Sequence, residues 1–133
     1  MGDTRQRIGA LGEDIAVDYL LTLGWHVCAR NWRNRYGELD VIALEPNPHG
    51  GSDNLVIVEV KTRRNGAVHD DPVTAVTGDK LDRMKNLTWM WVAQQRAAQE
   101  LPFFEVLRFD IVSIRLDGGN GAPILRHHRG VVD

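Results

Sequence analysis

Two short segments place residue types where hydrolytic chemistry becomes feasible. Val58-Glu59-Val60-Lys61 ends a run rich in β-branched residues, and Leu39-Asp40-Val41-Ile42 lies in a second apolar run. Alternation along a strand puts Glu59 and Lys61 on one face with Leu55 and Ile57, and Val56, Val58 and Val60 on the other. Both faces read as buried, so a carboxylate and an ammonium at the strand's end carry a desolvation cost unless they are paired or metal-bound. Asp40 is a second anomaly, because aspartate is depleted in strands. Alternation assigns it to the face of Ile42 and Leu44. Each feature alone is ordinary: a Glu-x-Lys triplet is usually a salt-bridged strand end, and a strand-mouth Asp usually satisfies nearby backbone N–H groups. Their conjunction carries more. In antiparallel neighbours the start of one strand opposes the end of the other, which brings Asp40 and Glu59 to the same end. Two carboxylates in a partly buried site repel, and one pKa rises unless a cation intervenes. Mg²⁺ uses one or two carboxylates together with water and substrate phosphate oxygens. Asp40, Glu59 and Lys61 are therefore a candidate site for metal-assisted phosphodiester hydrolysis, with Mg²⁺ or Mn²⁺ as the metal.

These residues need elements to position them. Ile8, Leu11, Ile15, Tyr19 and Leu23 recur at helical spacing, predicting a helix over 5–23 with one apolar stripe and Gly24 as its stop. Glu13 falls at the edge of that stripe and borders the sheet, while Asp14 and Asp18 point to solvent. Strands are expected over 25–31, 38–45 and 55–62, with a polar, arginine-rich stretch from Asn31 to Gly37 and a loop from 46 to 54 between them. Residues 64–76 give no clear pattern. A second helix is expected over about 77–98, with Leu81, Met84, Thr88, Trp91, Val92 and Gln95 on one side. A fourth strand follows over 105–115, then a turn at Gly118-Gly119-Asn120-Gly121 and an edge strand at 124–127. The order α-β-β-β-α-β-β implies an α/β fold: a mixed central sheet of about five strands flanked by helices. The first three strands should be antiparallel neighbours, and the second helix should cross over to a parallel one.

Length and composition bound the rest. The 133 residues suit one domain, with a core over about 5–115 and a C-terminal tail over 116–133. No apolar run approaches a membrane span, and Met1-Gly2-Asp3-Thr4-Arg5 lacks the apolar core of a signal peptide. The single cysteine, Cys28, cannot form an internal bridge, so the reducing cytoplasm is the expected compartment. Sixteen basic residues against eighteen acidic give a net charge of −2, so bulk charge does not mark a nucleic-acid binder. The type of base says more. Thirteen of the sixteen are arginine, whose planar fork suits phosphate oxygens. Arg33 and Arg35 interleave with Trp32 and Tyr36 just before Asp40, and Arg63-Arg64 directly follow the Glu-x-Lys triplet. Forks beside stackable rings suit nucleic acid.

Taken together, Gly12-Glu13, Gly37-Glu38-Leu39-Asp40 and Val58-Glu59-Val60-Lys61-Thr62-Arg63 resemble the PD-(D/E)XK nuclease pattern. More narrowly, the sequence resembles the YraN family of uncharacterised bacterial proteins, related to archaeal Holliday-junction resolvases. The similarity extends to Lys80-Leu81-Asp82-Arg83 and Arg108-Phe109-Asp110-Ile111-Val112 and covers roughly residues 8–114. It implies a restriction-endonuclease-like fold. It implies that Asp40 and Glu59 bind the metal, with the Val60 carbonyl as a further ligand. Lys61 would orient or activate the attacking water and stabilise developing charge. Glu13 would be a ligand or a base acting through water, and Lys80 would stand near the scissile phosphate. Leu39 occupies the place of the motif's proline.

Other motifs carry less. Adjacent strand residues such as His127 and His128 point to opposite faces and lack a third ligand, which argues against zinc. Cys28 has no base placed beside it and reads as packing. Trp89, Met90 and Trp91 read as packing of the second helix onto the sheet or a partner. No phosphate loop, dinucleotide fingerprint or nucleophile elbow occurs, so no small-molecule cofactor is expected. The favoured reading is a metal-dependent DNA endonuclease, with branched or damaged DNA as candidate substrates and a homodimer left open. The alternative is a non-catalytic nucleic-acid-binding or protein-interaction module on the same fold. The pair Asp40 and Glu59 favours the enzyme, because unneutralised acids repel phosphate unless a metal lies between.

Overall fold

The computed structural model describes residues 4–64, 77–116 and 121–131. Helix α1 (Thr4–Thr22) leads into β1 (His26–Asn34), β2 (Gly37–Glu45) and β3 (Asn54–Arg63). Helix α2 (Gly78–Ala97) then precedes β4 (Val106–Arg115) and β5 (Ile124–His128). The five strands form one sheet in sequence order. Pairing is antiparallel except between β3 and β4, which the α2 crossover makes parallel. This is the mixed α/β sheet with two helices that the restriction-endonuclease-like fold requires. Residues 65–76 and the Gly118–Asn120 part of the expected turn lie outside the described residues.

The two sheet faces carry separate cores. Ile42, Leu44, Leu55 and Ile57 pack with Leu81, Met84, Leu87, Trp91 and Val92 of α2, and Val131 is buried with them. Val41, Ala43, Val56 and Val58 pack with Ala16, Val17 and Leu20 of α1. Helix α2 buries nearly the residues its periodicity singled out, with Leu87 added and Gln95 only half buried. Thr77 caps it, accepting from the Lys80 N–H.

Helix α1 corrects its expected stripe. Leu11 and Leu23 are exposed, and the buried face is Gly12, Glu13, Ala16, Val17 and Leu20. The reason is close approach. A Cβ on Gly12 would collide with the Thr62 side chain, so the helix lies on β3 through its smallest residues and the larger apolar ones flank the contact. Trp89 and Met90 are likewise exposed, and Trp91 alone of that trio packs inward. The first strand, expected to end at residue 31, runs into the arginine-rich stretch. β1 continues to Asn34 and turns through Arg35 and Tyr36 into β2. At Gly37, φ is 148° and a Cβ would meet Leu87 at 3.1 Å, so only glycine lets the hairpin settle on α2. That placement sets the start of β2, where Asp40 stands.

Candidate active site

The β2–β3 ladder runs from Glu45 opposite Asn54 to Val41 opposite Val58 and stops there. One step further, the same register would oppose Asp40 to Glu59. Instead the Asp40 carboxylate accepts from the Val60 N–H at 2.9 Å, replacing a ladder bond with a side-chain bond. Alternation also slips at this point. Leu39 packs with the α2-side core, whereas Val41 packs with the α1 side. Asp40 is thereby released from the strict face expected for it and borders hollows on both sides of the sheet.

On the α2 side, Glu59 Oε1 receives Lys80 Nζ at 2.7 Å and lies 3.4 Å from Lys61 Nζ. The hollow there is about 250 Å³ and also includes Arg83. Burial, with the neighbouring Lys80, lowers the pKa of Lys61. Burial pulls Lys80 the same way, but its bonds to Glu59 and Lys61 outweigh it and hold Lys80 above the usual value.

On the α1 side, Glu13 and Asp40 share a groove of about 870 Å³. Arg5, Arg33, Arg63 and Arg64 line it. Glu13 is 8% exposed. Its Oε1 accepts from Asn31 Nδ2 at 2.7 Å and lies 3.5 Å from Arg30. Burial raises its pKa despite Arg30. Asp40 is pushed up, to about 7, by burial and by the charge of Glu59; Glu13 and Glu38 add to this, and the Val60 N–H and the nearby charge of Lys80 work against it without overcoming it. Among the described residues Asp40 has no ion-pair partner.

The structure thus brings Asp40, Glu59, Val60, Lys61, Lys80 and Glu13 to one end of the sheet, with Arg33, Arg63 and Arg64 along the groove. It separates two expected residues from the groove. Trp32 packs at the α2-side core and donates its indole N–H to Gln94, and Arg35 stacks on Tyr36 at the hairpin tip. Among the described residues no three His, Cys, Asp or Glu side chains cluster closely enough to hold a metal by themselves. Two carboxylates and a backbone carbonyl are still a hard oxygen set that fits Mg²⁺ or Mn²⁺, the remaining positions falling to water and phosphate.

The comparisons agree with the arrangement of motifs. The model of Uncharacterised protein family UPF0102 matches residues 12–114. The chain belongs to the UPF0102 family. This is the YraN family whose motifs the sequence resembles. A UPF0102 protein of Mycolicibacterium gilvum is 44% identical over 97% of this chain and 96% of its own length. Another, from Mycolicibacterium vanbaalenii, is 43% identical with the same coverage. One from Mycobacterium tuberculosis is 38% identical over 96% of this chain and 94% of its own. The UPF0102 match spans Gly12 through Ile114 and so includes every acid and lysine of the cluster.

A second polar cluster was not legible as such in the sequence. Asp110 on β4 is fully buried. It accepts from Arg108, from the Gly130 N–H and from His127 Nε2 at 2.7 Å, while His127 Nδ1 lies 2.8 Å from the Tyr19 hydroxyl. A single His127 tautomer, protonated at Nε2, donates to Asp110 and accepts from Tyr19. Arg108 and Arg129 also pair with Glu45. These residues are scattered from 19 to 130 in the sequence, and only the tertiary fold joins them. No helix among the described residues is long and apolar enough to cross a membrane.

Proposed function

We propose that this UPF0102 chain is a metal-dependent endonuclease that hydrolyses phosphodiester bonds in DNA. One observation carries the reading: Asp40 is largely screened from water, stands beside Glu59 and Glu13, and makes no ion pair among the described residues, Lys80 acting on it only through space. Above about pH 7 such an arrangement costs stability, and a bound divalent cation would offset the repulsion. Asp40, Glu59 and the Val60 carbonyl would hold Mg²⁺ or Mn²⁺, with Glu13 acting directly or through water. When bound, the metal supplies a Lewis acid that polarises the phosphate and eases loss of a proton from water. Lys61 orients that water and offsets charge developing on the phosphorus oxygens. Lys80, held by its Thr77 cap and by Glu59, faces the scissile phosphate. Arg33, Arg63 and Arg64 take flanking phosphates along the groove, and Arg35 at the hairpin tip extends the contact, while Trp32 stays packed against α2.

The test is a cleavage screen over linear, flapped and four-way DNA with Mg²⁺ and Mn²⁺, on wild type and Lys61→Ala. Lys61→Ala should lose about 10²–10³ in rate, the scale of one lost charge-stabilising donor, with DNA affinity nearly unchanged. Binding without cleavage by wild type on every substrate would favour a non-catalytic nucleic-acid module instead.

A further inference from the structure

Asn31 is one of two non-glycine residues among the described ones with positive φ, at 50°. It lies within β1, where asparagine is depleted, and the left-handed region is costly for residues other than glycine. Register places it with care: Arg30 opposes Val41 and Trp32 opposes Leu39, so Asn31 falls at the step of Asp40, a pair the ladder skips. The residues on both strands are therefore irregular at the same step, Asn31 in φ and Asp40 in alternation. Strand distortions of this kind beside a site re-aim side chains. Asparagine tolerates the left-handed region better than most residues, which alone would explain a backbone role. The side chain says more. Its amide does not return to its own backbone but donates to Glu13 Oε1 at 2.7 Å, the shortest contact on that buried carboxylate. Both residues line the groove that Asp40 enters.

We infer that Asn31 is a positioning residue: its left-handed backbone turns the amide onto one oxygen of Glu13 and leaves the other oxygen for a metal ion or its water. This rests on the metal-site reading above. A neutral donor suits the task. It fixes the carboxylate's direction without cancelling its charge, as outer-shell partners of metal ligands do. Arg30 serves less directly, since its short bond, at 2.6 Å, goes to the exposed Asp14.

Asn31→Gly separates the backbone from the amide, because glycine adopts the same φ without strain. Calorimetry with Mn²⁺ on the full chain should show a ten-fold or greater loss of affinity, the scale of lost outer-shell partners, while the melting temperature stays within a few degrees of wild type. Once Glu13→Gln has removed the charge, adding Asn31→Gly should change Mn²⁺ affinity less than two-fold. On a cleaved DNA, Asn31→Gly should lower kcat and leave KM within two-fold. Unchanged Mn²⁺ affinity in Asn31→Gly, or the same ten-fold loss in the Glu13→Gln background, overturns this inference alone. Absence of Mn²⁺ binding by wild type overturns the metal reading, and this inference with it.

Discussion

Asp40 and Asp110 sit in neighbouring parts of one sheet, and the fold treats their charges in opposite ways. Asp110 is fully buried, yet its carboxyl is held down at about 2. Burial alone would raise it; His127, Arg108 and the Gly130 N–H together outweigh that cost. Asp40 is less deeply placed but stands at about 7, because burial is joined by Glu59 and other acids and opposed only by one N–H and the more distant charge of Lys80. Burial therefore does not decide the charge of a carboxylate here; the partners do. The compensated aspartate ties β5 and the following residues to β4 and serves stability. The uncompensated one stores repulsion at the groove.

The largest effect should come from breaking the compensated cluster. Asp110→Asn keeps the shape but leaves Arg108 and His127 partly unpaired in the interior. It should cost about 3–5 kcal/mol, the usual penalty for removing one partner of a buried pair. Urea unfolding should show a lower midpoint at unchanged slope. A loss below about 1 kcal/mol would mean that the cluster is held together by packing alone.

The same contrast explains what the sequence revealed. Strand order, α2 and the conjunction of Asp40, Glu59 and Lys61 were legible because each rests on local periodicity and one hairpin register. The buried face of α1 was not. Burial there follows how closely Gly12 can approach Thr62, and hydrophobicity, which favoured Leu11, says nothing of that. Asn31 carries one sequence signal, an asparagine at the expected end of a strand that continues to Asn34. The Asp110 cluster had none, because Tyr19, Glu45, Arg108, His127 and Arg129 meet only through tertiary packing.

The next effect concerns pH, and its sign differs between the two aspartates. A carboxyl raised in the fold contributes stability that is fully present below its unfolded pKa of 3.8 and is lost as pH rises through about 7. In metal-free buffer, Asp40→Asn should therefore gain on wild type by about 1.4 kcal/mol per pH unit across that window and then level off. The Asn side chain still accepts from Val60, so the strand contact survives. For Asp110, stability is present above 3.8 and lost as pH falls through about 2, so Asp110→Asn should converge on wild type only in strong acid. Parallel stability curves for Asp40→Asn and wild type would remove the claim of stored repulsion.

Metal should act on one aspartate and not the other. At pH 7.5, Mn²⁺ at about 100 times its dissociation constant should stabilise wild type by about 2.7 kcal/mol through linkage. Asp40→Asn should lose that increment, whereas Asp110→Asn should keep it on its lower baseline. Thermal unfolding with and without Mn²⁺ reads both. Equal Mn²⁺ stabilisation of wild type and Asp40→Asn would place the ion elsewhere.

The smallest effect belongs to the groove's rim. Arg33 and Arg64 line it, and Arg33 also pairs with Glu38 at 3.1 Å, an exposed contact worth little to folding. Their replacement by alanine should leave stability within about 0.5 kcal/mol of wild type. DNA affinity responds differently, because each neutralised phosphate contributes roughly −0.9 to the log–log salt slope on duplex DNA. The double variant should flatten that slope by about 1.8, whatever the base sequence, since phosphate contacts position the protein and do not read bases. Asp14 and Asp18 are exposed on α1 outside the groove lining, so part of the acidic charge faces away from the DNA path, while Glu13, Glu38 and Asp40 within the groove are met by Arg5, Arg33, Arg63 and Arg64. Titrations from low to physiological salt give both slopes. An unchanged slope in the double variant would move the DNA path off the α1 side of the sheet, leaving the smaller hollow with Lys80 and Arg83 as its approach to Asp40.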